Sequence, residues 1–286
     1  MTPEVSTVSA PAKLNLFLWV EGRRPDGYHL LSTWMVKIDL ADKLTLDFGG
    51  EGLRLEVKPA ILPTDGENLV YRAAESFFRA ADLEPRVGIV LEKQIPTAAG
   101  LGGGSSDAAA VLTALNRAHG RPLGPVRLAE LGLALGADIP FFLQPCNSAL
   151  AQGIGEVLRD GPDVCGRDVV VVNPGWALST AWVFKNFNLE LTSGRHNHIF
   201  SRLNESSFTI DGTLTNDLES VVLPRFQEVG LMKSLLAEAG AEVALMTGSG
   251  PSVFGIFNNR MEAFQARDFL RERGRDNWKV FQARTM

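Results

Sequence analysis

Within residues 13–20, leucines alternate with Lys13, Asn15 and Phe17, at the two-residue period of a β-strand. The leucines at alternating positions are Leu14, Leu16 and Leu18. Lys13 directly precedes Leu14 and Asn15 directly follows it, so both side chains share the opposite face of the predicted strand. The Arg-Pro-Asp-Gly sequence at 24–27 predicts a tight turn, because proline and glycine suit the backbone angles of a chain reversal.

Helical and strand patterns follow one another along the rest of the chain. Hydrophobic residues recur at helical spacing after Asn68, a residue type that favours a helix N-cap. Further helices are predicted from Ser105 or Ser106 to about Gly120, at 128–135, 217–227, 230–239 and 261–272. Further strands are predicted at 44–48, 53–57, 87–91, 169–172, 243–246 and 253–257. The polar stretch 194–215 is interpreted as a loop.

The length of 286 residues favours two domains, at about 150 residues per domain. The pattern of elements restarts within 150–167, so we expect an N-terminal domain at 1–160 and a C-terminal domain at 161–286. Hydrophobic residues make up 45% and charged residues 21% of the chain, which is the composition of a globular protein.

Charge and cysteine content narrow the functional class. The 28 Lys and Arg against 33 Asp and Glu give a formal net charge of −5, which argues against a nucleic-acid partner. Two cysteines without C-x-x-C spacing predict neither a disulfide framework nor a zinc site. The sequence has no signal-peptide pattern and no run of about 18 apolar residues. We therefore expect a cytoplasmic protein without a membrane partner, as a monomer or weak homodimer.

A glycine-rich segment lies between a predicted strand and a predicted helix. Its residues are Pro96, Thr97, Ala98, Ala99, Gly100, Leu101, Gly102, Gly103, Gly104, Ser105 and Ser106. Bare backbone N–H groups at a helix start favour a bound phosphate, whereas the alternative, a flexible linker, does not usually run straight into a helix. No lysine follows the glycines as in a P-loop, and Ser105 stands where a G-x-G-x-x-G motif needs glycine, so another class of phosphate site is predicted.

Five motifs in order along the chain resemble those of the GHMP kinases. They are Ala-Lys-Leu-Asn at 12–15, Gly-Tyr-His at 27–29, the glycine-rich segment, Gly-Ala-Asp-Ile-Pro at 136–140 and Thr-Gly-Ser-Gly-Pro at 247–251. The resemblance spans residues 11 to about 257, and it is strongest to the branch that acts on 4-diphosphocytidyl-2-C-methyl-D-erythritol. It implies a two-domain α+β fold, with an N-terminal domain like domain 2 of ribosomal protein S5, a ferredoxin-like C-terminal domain and an active site in the interdomain cleft.

The resemblance also implies roles in phosphoryl transfer from ATP. The glycine-rich segment would bind the ATP phosphates, and Asn68, Leu69 and Lys93 match positions that hold adenine. Asp138 would be the catalytic carboxylate near the acceptor hydroxyl, with Lys13 as its charged partner. Taken alone, Lys13 could be a surface lysine, Asp138 a turn residue and Asn68 a helix cap.

The implied substrate is small and carries a cytosine. Tyr28 and His29 match the motif that holds this base, and Phe184 is the candidate for a second stacking ring, although an aromatic residue at such a position is often part of a core. Asn15 is expected to contact the methylerythritol part. Asp138, Gly248 and Ser249 complete the expected substrate site.

The expected cofactors are ATP and Mg²⁺, with the metal held largely by the ATP phosphates and with Ser105 or Ser106 as possible contributors. No protein metal site is predicted, because His196 and His198 lie in a polar stretch without a third ligand. Asp107 adds a negative charge next to the glycine-rich segment. This carboxylate must point away from the phosphates, or its charge must be offset by the metal or by Lys93. Two alternatives remain open: another GHMP kinase, or a sensor that binds nucleotide without turnover.

Overall fold

The computed structural model describes residues 5–189 and 214–286. These residues form ten strands and eight helices, which fall into two units. The first unit comprises the chain up to Ala12, residues 41–95 and residues 102–145. The second comprises residues 13–40, residues 96–101 and the chain from Cys146 onward. Because β1 and β2 are long, each contributes residues to both units.

The bounds of the elements are as follows. The strands are β1 Val5–Arg23, β2 His29–Asp47, β3 Gly52–Lys58, β4 Arg86–Glu92, β5 Ser148–Gly153, β6 Val157–Asp160, β7 Asp168–Asn173, β8 Val243–Met246, β9 Val253–Phe257 and β10 Lys279–Arg284. The helices are α1 Leu69–Ala81, α2 Gly103–Ala118, α3 Pro125–Leu135, α4 Ile139–Leu143, α5 Thr180–Lys185, α6 Glu219–Arg225, α7 Gln227–Glu238 and α8 Arg260–Arg273. In the two described ranges, no helix has both the length and the apolar character needed to cross a membrane.

The first unit combines a small sheet with helices α1 to α4. Strand β4 pairs parallel with β3 and antiparallel with residues 43–47 of β2. Side chains from these strands and from α1 and α2 form one buried core, which includes Leu44, Leu46, Phe77, Phe78, Leu91, Val111, Leu112 and Leu115. Burial of this apolar surface stabilises the unit and fixes α2, whose first turn belongs to the glycine-rich segment.

The second unit contains a four-stranded antiparallel sheet in the order β10-β7-β9-β8. All six residues of β7 are buried, and two of them, Val170 and Val172, share a core with apolar residues of α6, α7 and α8. A separate antiparallel ladder joins residues 31–36 of β2 to β5, and β5 to β6. This ladder holds the part of β2 that follows Tyr28 and His29.

The α+β class and most predicted elements are confirmed. Strands β3, β4, β7, β8 and β9 and helices α1, α3, α6, α7 and α8 lie where the sequence patterns place them, within a few residues. Helix α2 begins at Gly103, two or three residues before the predicted start at Ser105 or Ser106. The predicted loop at 194–215 lies almost entirely outside the described residues. The division of the chain at residue 160 stays a prediction.

Strands β1 and β2 are much longer than predicted. The pattern predicts 13–20 and 44–48, whereas the strands run from Val5 to Arg23 and from His29 to Asp47. In the part of β2 that the pattern missed, residues 32–38 are all buried, so both faces of this strand carry side chains that avoid water. A strand buried on both faces loses the alternation on which the prediction depends.

Candidate active site

The turn that precedes α2 has a defined backbone. Ala98 has a φ of 47° and Gly100 a φ of 76°, both in the left-handed region. A Cβ at Gly100 would lie 2.1 Å from the backbone oxygen of Thr247, so no other residue fits there without a shift of the backbone. The carbonyl of Leu101 accepts a hydrogen bond from the backbone N–H of Lys13 at 2.9 Å. Within the second unit, residues 96–101 therefore form an anchored turn, not a flexible linker.

The start of α2 presents unpaired hydrogen-bonding groups. The N–H groups of residues 103–105 precede the first N–H that bonds within the helix, that of Ser106, which donates to the carbonyl of Gly102 at 2.9 Å. A Cβ at Gly104 would have no atom within 4 Å. The hydroxyl of Ser106 is buried and has no hydrogen-bond partner among the described residues. Free N–H groups, the helix dipole and a spare hydroxyl fit a phosphate group.

Lys93 is buried between two carboxylates of the first unit. Its ammonium donates to Oδ2 of Asp107 at 2.8 Å and to Asp42. The other oxygen of Asp42 accepts the backbone N–H groups of Gln94 and Ile95 at 2.6 and 2.9 Å. In the described part of the chain, Oδ1 of Asp107 has no partner. Asp42 is therefore fully satisfied, whereas Asp107 is held by one oxygen.

The buried pair has shifted titration behaviour. Burial raises the pKa of Asp107 to about 7 against the opposing charge of Lys93, and the Asp42 carboxylate adds to the rise. Burial works to lower the pKa of Lys93, but the two carboxylates outweigh it and raise that pKa. Lys93 thus offsets part of the charge of Asp107, because it also pairs with Asp42. An offset by Lys93 is one of the arrangements expected from the sequence. The role of Lys93 toward adenine stays a prediction.

Lys13 is a buried lysine of β1 and not a surface residue. Only 4% of it is exposed, and its ammonium donates to Oδ1 of Asn15 at 2.5 Å. The backbone N–H of Asn15 donates to the hydroxyl of Thr247 at 3.0 Å. A Cβ at Gly248 would lie 3.2 Å from the Lys13 ammonium, so glycine at this position leaves room for the charge. The second unit therefore brings the Ala-Lys-Leu-Asn and Thr-Gly-Ser-Gly-Pro motifs into contact.

Asp138 stands directly before α4 in the first unit. It occupies the N-cap position of this short helix, but its side chain does not make the capping hydrogen bond. The side chain is half-buried. Two residues earlier, a Cβ at Gly136 would lie 3.8 Å from the hydroxyl of Ser105, at the start of α2. The Gly-Ala-Asp-Ile-Pro motif therefore lies beside the first turn of α2, and a capping role does not explain Asp138.

The predicted aromatic residues lie in the second unit. Tyr28 is 62% exposed. The ring of His29 stacks on Phe184, with ring centroids 5.1 Å apart and planes 27° from parallel, and it meets the edge of Phe187 at 6.1 Å. Burial, together with the charge of Arg23, lowers the pKa of His29 and so favours its neutral form. The structure therefore places an exposed tyrosine next in sequence to a stacked pair of rings.

The loop between β8 and β9 is held by side chains from two other segments. The amide of Asn216 donates to the carbonyls of Met246 and Gly248, both at 2.8 Å. The hydroxyl of Ser249 is 2.8 Å from that of Thr180 in α5. Gly248 and Ser249, both predicted substrate contacts, thus occupy an ordered loop. Their contact with substrate stays a prediction.

Asn68 caps α1, which is the structural role that the sequence offered as an alternative to adenine binding. Its side-chain oxygen accepts the backbone N–H of Val70 at 2.9 Å, and its amide donates to the carbonyl of Pro63 at 2.8 Å. Leu69 packs against the core of the first unit. Both residues have structural roles, and their contact with adenine stays a prediction.

Within residues 5–189 and 214–286, no group of three His, Cys, Asp or Glu side chains is arranged to hold a metal ion. His196 and His198 lie outside the described residues.

Two family models match the chain. Residues 68–144 match the GHMP kinases N terminal domain, and residues 193–276 match the GHMP kinases C terminal model. The N-terminal match contains the glycine-rich segment and Asp138, and the C-terminal match contains the Thr-Gly-Ser-Gly-Pro motif. Lys13 and Tyr28 precede both matches.

Full-length similarity extends over these earlier residues too. The 4-diphosphocytidyl-2-C-methyl-D-erythritol kinase of Geobacter sulfurreducens is 42% identical over 98% of this chain and 99% of its own length. The kinase of the same name from Syntrophotalea carbinolica is 42% identical over 95% of this chain and 96% of its own. The chain belongs to the 4-diphosphocytidyl-2-C-methyl-D-erythritol kinase family of GHMP kinases.

A solved structure shares the fold of this GHMP kinase. A crystal structure of 4-(cytidine 5'-diphospho)-2C-methyl-D-erythritol kinase matches it with a TM-score of 0.84 and 35% identity, covering 98% of this chain and 99% of the other. A mevalonate kinase in complex with R-mevalonate matches with a TM-score of 0.70 at 14% identity, which shows the fold alone. The two-domain α+β GHMP fold expected from the motifs is thereby confirmed.

Sequence reasoning missed several polar residues of this GHMP kinase. Asp42 binds Lys93, Asn216 holds the β8–β9 loop, and Thr33 bonds to Asn15. Each of these residues has a polar neighbour in the sequence, and its partner lies far away in the chain. The local sequence therefore contains no signal that distinguishes them from ordinary surface polar residues.

Proposed function

We propose that the chain transfers the terminal phosphoryl group of ATP to the 2-hydroxyl of 4-diphosphocytidyl-2-C-methyl-D-erythritol, giving the 2-phosphate and ADP. One observation carries this proposal: a relative named for this substrate matches 98% of the chain at 42% identity. The reaction belongs to the non-mevalonate route to isoprenoid precursors. Cytoplasmic location, and a monomeric or weakly dimeric state, remain predictions.

The phosphate chain of ATP is proposed to bind at residues 96–106. The unpaired N–H groups of the first turn of α2 and the spare hydroxyl of Ser106 support this, because both can donate to phosphate oxygens. Bound Mg²⁺ would offset negative charge on the phosphates, with Ser105 or Ser106 within the segment that holds it. The adenine is assigned to Asn68, Leu69 and Lys93, as expected from the resemblance.

Lys13 and Asp138 are proposed to act on the acceptor hydroxyl. Asp138 orients that hydroxyl and takes its proton, and Lys13 stabilises the negative charge that develops as the oxygen attacks. The burial of Lys13 supports the role, because a charge screened less by water acts more strongly. The absence of a capping bond from the Asp138 side chain supports a role other than a helix cap.

The cytosine is assigned to Tyr28, His29 and Phe184. The stacked rings of His29 and Phe184 support an aromatic site, and the exposed ring of Tyr28 is available to a ligand. A neutral His29 can donate from one ring nitrogen and accept at the other, which suits the polar edge of a base. The methylerythritol part is assigned to Asn15, Asp138, Gly248 and Ser249.

Two other functions remain as alternatives. Another GHMP kinase would share the phosphate turn, but it has no need for the paired rings of His29 and Phe184. A sensor without turnover would not need Lys13 buried with its ammonium hydrogen-bonded. Both features therefore favour the cytidine-dependent kinase.

The identity of the product tests the proposal. The purified chain is incubated with ATP, Mg²⁺ and 4-diphosphocytidyl-2-C-methyl-D-erythritol, and the mixture is followed by phosphorus NMR. The expected result is one new phosphomonoester whose phosphorus shows coupling to carbon 2. It should form in the same amount as ADP. A phosphomonoester at another hydroxyl, or ADP without a new ester, would contradict it.

A further inference from the structure

Thr33 belongs to a chain of hydrogen bonds that runs from the Lys13 ammonium through Asn15 and Thr33 to the carbonyl of Phe17. Thr33 lies in β2, opposite Ala151 of β5, and only 3% of it is exposed. Its hydroxyl donates to the carbonyl of Phe17 at 2.6 Å. The same hydroxyl lies 2.8 Å from the side-chain nitrogen of Asn15, whose oxygen accepts from Lys13. All of these residues belong to the second unit.

The direction of every bond in this chain is determined. A backbone carbonyl can only accept, so the single hydroxyl proton of Thr33 goes to Phe17. The Thr33 oxygen must then accept, which requires the amide nitrogen of Asn15 to face it. At the other end, an ammonium can only donate, so the Asn15 oxygen must face Lys13. Both ends demand the same orientation of the Asn15 amide.

We propose that Thr33 is a positioning residue for phosphoryl transfer: its hydroxyl fixes the orientation of the Asn15 amide and thereby the place of the Lys13 ammonium. This rests on the proposed function of Lys13 in the reaction. Thr33 itself is not proposed to contact the substrate. The pairing of β2 with β5 holds the backbone of Thr33 in place, and this positions the hydroxyl next to the Asn15 amide.

Loss of the Thr33 hydroxyl should misplace Lys13. In Thr33→Val the buried Asn15 amide loses its acceptor, and an unpaired buried donor is costly. If the amide rotates to find another partner, its NH₂ group faces the Lys13 ammonium, and two donors oppose each other. In either case the ammonium moves. A small misplacement of a catalytic group can reduce turnover by on the order of 100-fold.

The test compares Thr33→Val with Thr33→Ser, which keeps the hydroxyl. Thr285→Val is the matched control, because Thr285 is also 3% exposed, accepts the Arg167 N–H at 2.9 Å and donates to the Val164 carbonyl, in the same unit. Turnover is measured as kcat and as KM for ATP and for the cytidine substrate. Each variant is also made in an Asn15→Ala background, where Thr33 has no amide to orient.

We expect Thr33→Val to lower kcat by roughly 10- to 100-fold with little change in KM for ATP. Thr33→Ser should restore most of kcat, and Thr285→Val should leave it unchanged at a similar loss of thermal stability. In the Asn15→Ala background, Thr33→Val should have almost no further effect, because coupled residues are not additive.

Normal kcat in Thr33→Val, or an equal loss of kcat with and without Asn15, would overturn the proposal. If Thr33→Val does not fold, Thr33→Ala is compared with Thr33→Ser on the same grounds. If the unmodified chain phosphorylates a different acceptor, the proposed substrate is wrong. The same variants measured with that acceptor then decide the role of Thr33 independently.

Discussion

The Lys93 ammonium lies 2.8 Å from the Asp107 carboxylate, and both side chains are almost completely buried. Asp107 is in α2, four residues after Gly103, and a Cβ at Gly103 would lie 3.3 Å from the Lys93 ammonium. The ion pair therefore lies next to the backbone turn proposed to bind phosphate. A second carboxylate, Asp42, shares the lysine, so the cluster carries one negative charge in excess whenever Asp107 is ionised.

Asp107→Asn should reduce the pH dependence of stability. The folded-state pKa of Asp107, about 7, lies above the ordinary value of 3.8, so the folded chain keeps a proton that the unfolded chain has lost. The stability from this group is full below about pH 4 and is lost as the pH rises through about 7. Thermal midpoints at about pH 5 and about pH 8 should therefore differ less in Asp107→Asn than in the unmodified chain.

Glu51→Gln is the control for this measurement, because Glu51 is an exposed acid of the same unit. It should keep the pH dependence of the unmodified chain. Parallel pH profiles for Asp107→Asn and the unmodified chain would show that Asp107 does not titrate in this window.

Gly104→Ala should separate stability from ATP binding. Its new Cβ meets no protein atom within 4 Å, and alanine favours a helix over glycine by about 0.5–1 kcal/mol, so the free energy of unfolding should rise slightly. The same methyl group would obstruct a phosphate at the start of α2. The KM for ATP should rise about tenfold or more, as for the loss of one hydrogen bond to a charged group.

Gly100→Ala is the contrasting variant. Its Cβ would lie 2.1 Å from the carbonyl oxygen of Thr247, so this change should destabilise the fold itself. Thermal unfolding and ATP kinetics on both variants test the assignment. An unchanged KM for ATP in Gly104→Ala would place the phosphates elsewhere.

Tyr28→Ala should weaken binding of the cytidine substrate alone. Stacking on a base contributes about 1–3 kcal/mol, so KM for this substrate should rise roughly 5- to 150-fold while KM for ATP stays the same. Since Tyr28 is 62% exposed, the thermal midpoint should not change. Tyr28→Phe keeps the ring and should retain most of the affinity. Equal affinity in the alanine and phenylalanine variants would remove Tyr28 from the site.

Asp138→Asn should reduce kcat by about 10²- to 10⁴-fold, the usual contribution of a positioned acid or base, while ATP still binds. The asparagine keeps the shape of the side chain and loses only the charge. Asp82→Asn is the control, because Asp82 is exposed and has a left-handed backbone that asparagine tolerates. Turnover and nucleotide binding, measured separately, check both. Turnover in Asp138→Asn equal to that in Asp82→Asn would exclude Asp138 from the reaction.

Local sequence patterns predicted many of the helices and strands, because these elements depend on residues close together in sequence. The helix after Asn68 has the N-cap bond that the sequence indicates, and β8 and β9 have the predicted bounds. The patterns failed where burial covers both faces of a strand, as along residues 32–38 of β2. They also missed β5, β6 and β10, whose short runs gain their order from pairing with strands distant in sequence.

The residues of the candidate site likewise fall into those that the sequence predicts and those that only the fold shows. Lys13, Asp138 and the glycine-rich segment have motif contexts, so sequence reasoning finds them. Thr33 has none, since its importance depends on a hydrogen bond to Asn15, 18 residues away. The pairing of Lys93 with Asp107 could be expected from charge alone, but the second carboxylate, Asp42, is 51 residues from Lys93 and appears only in the folded chain.

The choice of acceptor distinguishes this kinase from other GHMP kinases. ADP release is measured with ATP and Mg²⁺ against 4-diphosphocytidyl-2-C-methyl-D-erythritol, mevalonate and homoserine in parallel. We predict steady ADP release with the cytidine compound and none above background with the other two. Release with mevalonate or homoserine, with the cytidine compound left unchanged, would contradict this prediction.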